Sequence, residues 1–158
     1  MLPESTRLRL ETQLDVVPLL LSGASAESML ARSASGEWSP HENLAHLARH
    51  HAIFLEHLQR IIAEDAPELA RYRAEEDSSW SEWSSLTMDE VITRLNTFRA
   101  EIVQFIKGLS DAETDRVGIH PLLGRMDLTR WVEFFLLHEA HHLYKLMIRR
   151  GDTTRASL

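Results

Sequence analysis

The strongest constraint in this chain is the segment Ser39-Pro40-His41-Glu42. A serine that can accept the backbone N–H three residues on, a proline at the first helical position and a glutamate that reaches back make a capping box, which commits the following chain to a helix. Leu44, Leu47, Phe54, Leu55, Leu58, Ile61 and Ile62 then form an apolar stripe at helical spacing, and Asp65 and Pro67 mark its end. Thr87-Met88-Asp89-Glu90 repeats the signal and opens another helix, with Leu95, Phe98, Ile102, Phe105 and Ile106 on its buried side and Gly108 as its stop. An earlier helix is expected over about 5–21, on Leu8, Leu10, Leu14, Val17, Leu20 and Leu21. A last one is expected from near Asp127 or Thr129 to Gly151, with Lys145, Arg149 and Arg150 in its final turns, where the helix dipole favours cations.

Shorter pieces fill the connections. A brief helix is expected near 26–32, another after the cap-like Ser110-Asp111-Ala112-Glu113, and a loop around Pro121 and Gly124. No stretch alternates apolar and polar residues for long enough to argue a strand. Four long amphipathic helices must bury their stripes against one another, so the expected fold is all-α, a four-helix bundle in one domain over 1–158. The connections are all long, so their lengths leave the up and down order open.

Composition removes several functions. Net charge is −7 and no block of Lys and Arg stands out, so neither nucleic acid nor an anionic membrane is an expected partner. The chain has no cysteine, which excludes disulfides, thiolate metal sites and a cysteine nucleophile. The N-terminus lacks an apolar signal-type core, and no run approaches the ~20 apolar residues of a membrane span; a cytoplasmic location is the expectation. Nine histidines are present, eight of them in or near two short segments.

One segment is His138-Glu139-Ala140-His141-His142. Residues four apart lie nearly above one another on a helix. Leu128, Trp131, Phe135, His138, His142 and Leu146 follow steps of three and four, so both histidines occupy positions where apolar residues belong. Burying imidazoles costs free energy unless each finds a partner. A shared metal ion would satisfy both; bonds to backbone or water are the plainer alternative. His141 points away and reads as a surface residue. The five residues also match H-E-x-x-H, the zinc-protease pattern, with Glu139 as general base. That reading fails downstream, because no histidine follows His142, and Lys145 and Ile148 stand where the extended motif needs glycine and histidine. A third ligand would have to come from upstream, among His41, His46, His50, His51 and His57. Periodicity does not choose: His51 lies nearest the centre of the apolar stripe and His46 well to one side.

Two segments carry a family resemblance. The first is Trp38-Ser39-Pro40, Glu42, then His46-Leu47-Ala48; the second is His120-Pro121-Leu122-Leu123-Gly124, Met126, then the helix with His138-x-x-x-His142. Together they resemble the DinB-like (YfiT-like) superfamily of metal-binding helical bundles. The resemblance implies an up-down-down-up bundle and three histidine ligands, which on this chain are His46, His138 and His142, holding zinc or nickel. It implies a homodimer in many relatives. In that topology the second and fourth long helices are antiparallel; His46 lies six residues after Pro40 and His142 eight before Arg150, both on the order of 10 Å from one end of the bundle.

Glu139 is the one catalytic candidate; it reads as a general base, as an acceptor for an imidazole N–H, or as the partner of an arginine. His50, one turn beyond His46, reads as a group behind the ligands, as a proton carrier in a pocket, or, by default, as a solvated side chain. His51 reads as a core histidine facing a backbone carbonyl. Trp38 and Trp131 belong to packing or to a pocket wall, and Trp80 and Trp83 to a crossover. Three neutral imidazoles leave an ion an open position. The expected function is thus a metal-dependent enzyme acting on a small molecule. Some relatives use a low-molecular-weight thiol for S-transfer or isomerisation; a hydrolase-like reaction is the other form. The alternatives are a non-catalytic metal-binding or stress-related interaction protein, and a protein whose histidines bind no metal.

Overall fold

The computed structural model describes residues 2–155, with side chains to 149. The chain begins with α1 (Glu4–Thr12), a 3-10 turn (Gln13–Val16) and α2 (Val17–Leu21). The sequence reading of one continuous helix over 5–21 is therefore corrected. Pro18 has no N–H to give and its ring would collide with the carbonyl four residues back, so the chain tightens to 3-10 geometry and restarts with proline in the first turn. After α3 (Ala26–Leu30) comes α4 (Pro40–Ala63), opened by the expected Ser39–Glu42 capping box. A 3-10 turn (Ala74–Glu76) and α5 (Trp80–Ser85) lead to α6 (Met88–Lys107), opened by the Thr87–Glu90 box. Next come α7 (Asp111–Thr114), β1 (Val117–His120), β2 (Gly124–Asp127) and α8 (Leu128–Arg155). α8 runs past Gly151, the expected stop; a glycine inside a helix costs only about 1 kcal/mol and does not end one by itself.

Side-chain pairings set the topology. His50 faces His138, Phe54 lies flat on Phe135 with ring centroids 4.1 Å apart, and His57 meets Trp131, so α4 and α8 run antiparallel. His41 bonds the Leu86 carbonyl and His51 meets Arg99, so α4 and α6 run parallel. Arg9 reaches Glu133 and Gln13 reaches Leu136 and Glu139, so α1 runs with α8. The bundle is up-down-down-up. Its core divides into a layer around Phe54, Leu58, Ile102, Trp131 and Phe135, and a layer around Leu14, Leu44, Leu47, Trp83 and Leu95. No described helix is long and apolar enough to cross a membrane.

The segment read as a loop around Pro121 is a two-stranded antiparallel hairpin, with Val117 opposite Asp127 and His120 opposite Gly124. Four-residue strands give too little alternation to register as a pattern. Gly124 sits at φ 71°, which suits glycine at the turn. Gly118 is required for another reason: a Cβ there would stand 2.9 Å from Ile61 and from Leu69. Ile119 donates to the Pro67 carbonyl at 2.8 Å and accepts from Leu69 at 3.0 Å, which ties the hairpin to the chain leaving α4. This junction closes one side of a cleft beside α8.

Candidate metal centre

His46 comes from α4, and His138 and His142 from successive turns of α8. One nitrogen from each lies within 4.8 Å of the others. His46 Nε2 and His138 Nε2 are 3.2 Å apart, close to the roughly 3.4 Å expected for two nitrogens about 2.1 Å from a tetrahedral ion. The His46 and His142 rings are 4.4 Å apart and the His138 and His142 rings 4.7 Å apart, so the three form a closed triangle. His46 and His142 are buried and His138 is half-buried.

The orientation of His142 is fixed from behind. Asn43, one turn before His46, donates its amide N–H to the Ser39 carbonyl at 2.9 Å and to that of Trp38 at 3.3 Å. Its Oδ1 is therefore the free acceptor, and His142 Nδ1–H donates to it at 2.9 Å. That tautomer leaves the lone pair on Nε2. The capping sequence of α4 thus does a second task, because the Ser39 carbonyl that accepts the Asn43 backbone N–H also orients the amide that orients the imidazole. Neither His46 Nδ1 nor His138 Nδ1 has a partner, and both are inaccessible. The Tyr72 hydroxyl is equally without a partner, and its ring lies 5.1 Å from that of His46. Burial, and after it the charge of neighbouring groups, lowers the pKa of His46 to about 3, of His138 to about 4 and of His142 to about 2. All three imidazoles are neutral at pH 7, the form that ligates a cation. The donor set is all nitrogen, neutral and convergent, and it fits a divalent ion.

The other singled-out residues separate into two groups. Trp38 covers the triad, 5.0 Å from the His46 ring, with Trp80 stacked behind it at 5.4 Å. His50 is buried, correcting the default reading of a solvated side chain. Its ring lies 4.0 Å from that of His138 and against Phe135, and its Nδ1 has no partner. The one-turn step from His46 keeps it on the face toward α8. Trp131 is fully buried between the hairpin and α4. Glu139 points elsewhere. Its Oε2 accepts from Arg99 and lies 3.0 Å from His51 Nε2, while Oε1 accepts from Gln13 at 2.8 Å. Burial would raise its pKa; His51 and Arg99 outweigh that and hold the carboxyl below its usual range. Of the readings open for Glu139, this placement is that of an arginine's partner. His51 Nδ1–H donates to the Leu47 carbonyl at 2.7 Å, as expected of a core histidine. His141 is exposed.

A cleft of about 280 Å³ adjoins the triad, lined among others by His50, Tyr72, His120, Trp131 and His138. Asn43, Tyr72 and His120 were assigned no role from the sequence. Asn43 carried a faint signal, a polar residue one turn before a histidine on the flank of a buried stripe. Tyr72 lies in an irregular connection where no periodicity exists.

The sequence profile of the DinB superfamily matches residues 9–146. No curated protein sequence matches the chain. YfiT from Bacillus subtilis, described as a probable metal-dependent hydrolase with an unusual four-helix bundle topology, superposes with a TM-score of 0.80 at 16% identity, covering 94% of this chain and 87% of that one. TT2238, described as a four-helix bundle protein, superposes with a TM-score of 0.68 at 21% identity, covering 92% of this chain and 98% of that one.

Proposed function

The chain belongs to the DinB superfamily, and from that premise we propose that His46, His138 and His142 bind one divalent metal ion and that the protein is a metal-dependent enzyme acting on a small molecule. The observation that carries this reading is the convergence of three neutral imidazole nitrogens from two rigid helices, one of them held in its ligating tautomer by Asn43. Nitrogen donors of this kind favour zinc or nickel over magnesium or calcium.

An ion with three protein ligands and an open position lowers the pKa of a bound water or thiol and so supplies a nucleophile at neutral pH. The chain's own residues provide the rest. The α4 and α8 backbones hold the ligands in place, Trp38 packs on His46 with Trp80 stacked behind it, and the cleft beside His138 admits the substrate. That cleft favours catalysis over a structural metal, which needs no cavity. A hydrolytic reaction is in line with the description of YfiT. S-transfer or isomerisation with a low-molecular-weight thiol is the second form; because the chain has no cysteine, the thiol would be a cosubstrate.

The test is elemental analysis of the purified protein beside His142→Ala, followed by turnover of ester, amide and thiol-plus-electrophile panels by zinc- and nickel-loaded protein. One equivalent of metal in the wild type, lost in the variant, is expected, with turnover only when loaded. A wild-type protein that binds neither ion removes the proposal.

A further inference from the structure

The cleft beside His138 holds polar groups that the metal reading leaves unused. His120 ends β1, and its Nδ1 accepts the backbone N–H groups of Leu122 and Leu123, both at 3.1 Å. A nitrogen accepting two such bonds carries no proton, so neutral His120 bears its hydrogen on Nε2 and is a donor there. Its side chain is 95% buried, at 5% exposure, yet lines the cleft. Arg71, exposed in the connection after α4, lines the same cleft, and no carboxylate among the described residues pairs with it. No aspartate or glutamate is in the lining. Phe54, Trp131 and Phe134 form an apolar wall, and Leu122 and Leu123, both exposed, form part of the rim. The volume, about 280 Å³, falls just below the roughly 300–1,000 Å³ of small-molecule sites, so it suits one small ligand and no macromolecule.

We propose that this cleft binds a small organic acid, its carboxylate held by Arg71 and the His120 Nε2–H and its apolar body laid against Trp131 and Phe134, with its other end toward His138. One guanidinium matches one carboxylate in charge and in planar geometry; a phosphate dianion would leave a charge unmatched. That the acid is the substrate rests on the metal-enzyme reading above. Its binding does not, since neither Arg71 nor His120 belongs to the triad.

Calorimetric titration of the full chain with 3-phenylpropionate, with the neutral alcohol 3-phenylpropan-1-ol and with phenyl phosphate tests the proposal, on zinc-loaded and chelator-stripped protein. The acid is expected to bind at least about tenfold more tightly than the alcohol in both forms, as a charge-assisted hydrogen bond implies. Arg71→Met is expected to remove that preference while alcohol binding stays within about twofold and zinc content is unchanged; the side chain is exposed, so the fold tolerates it. Equal affinity for acid and alcohol overturns the proposal. So does acid binding seen only with zinc and indifferent to Arg71→Met, which would put the carboxylate on the metal, and so does a preference for phenyl phosphate. Acid binding by a protein that takes up no zinc supports the cleft and defeats only the metal reading.

Discussion

Two buried polar clusters both draw on α4 and α8, and they are built in opposite ways. In one, Glu139, Arg99, His51 and Gln13 satisfy one another and the Leu10 and Leu47 carbonyls. In the other, His46, His138 and His50 each have an inaccessible nitrogen with no partner, beside a Tyr72 hydroxyl in the same condition. Buried polar groups are nearly always bonded, so a closed network holds a fold together while an open one calls for something from outside. Adjacent residues of α8 fall on the two sides: Glu139 turns toward α6 and His138 toward the open cluster. The acidic residue inside H-E-x-x-H thus sits in the closed network, and the histidines at the ends of that motif sit in the open cluster.

Four measurements would break or sharpen that contrast, the largest effect first. Glu139→Leu leaves the Arg99 guanidinium buried without its counter-ion and is expected to lower stability by about 3–5 kcal/mol in urea unfolding; adding Arg99→Met should recover most of it. If the single change costs nothing, the closed network is not structural.

The open cluster should respond to metal instead. Saturation with zinc at about a thousand times its dissociation constant should stabilise the wild type by about 4 kcal/mol and leave His142→Ala unmoved. Thermal melts that show equal stabilisation of both proteins would locate the ion elsewhere.

Acid should weaken the metal-free fold through the same residues. His46, His138 and His142 have folded pKa values of about 3, about 4 and about 2. In the unfolded chain they titrate near the ordinary value of about 6.5. Above that pH both states are neutral there. Below it the unfolded state binds more protons, so stability is present above pH 6.5 and lost as pH falls toward the folded values, by on the order of 1 kcal/mol per histidine at pH 5.5. Urea midpoints at pH 7.5 and 5.5 measure this, and an unchanged midpoint contradicts neutral, buried imidazoles.

Asn43→Ala is the smallest and most selective change. Removing the acceptor behind His142 should weaken zinc about 10- to 100-fold while the metal-free protein still folds. Competition with a chelator of known affinity reads it; an unaltered affinity would mean that the tautomer is set by the ion alone.

Legibility in the sequence followed locality. The capping boxes at Ser39 and Thr87 and the stripes behind them were readable because a helix is decided by residues three and four apart. The hairpin at Val117–Asp127 was not, because strands of four residues are stabilised by partners such as Pro67 and Leu69, about fifty residues away. Pro18 was visible, but the 3-10 turn before it was not drawn from it. At the site, His138 and His142 stood out because they interrupt an apolar stripe at one helical turn. His46 did not, since His51 occupies the stripe's centre; the centre faces Arg99 and the closed network, while the flank faces α8.

By itself, then, the sequence determined the three longest helices, where α4 and α6 begin, and that α8 turns two imidazoles four residues apart inward. These follow from short-range hydrogen bonding and from the period of a helix. Tertiary structure alone decided which upstream histidine meets that pair, that Glu139 is consumed by an arginine, and that His120 and Arg71 share a cleft. Those are distances between residues tens of positions apart, set by how helices cross, and no local pattern encodes the crossing.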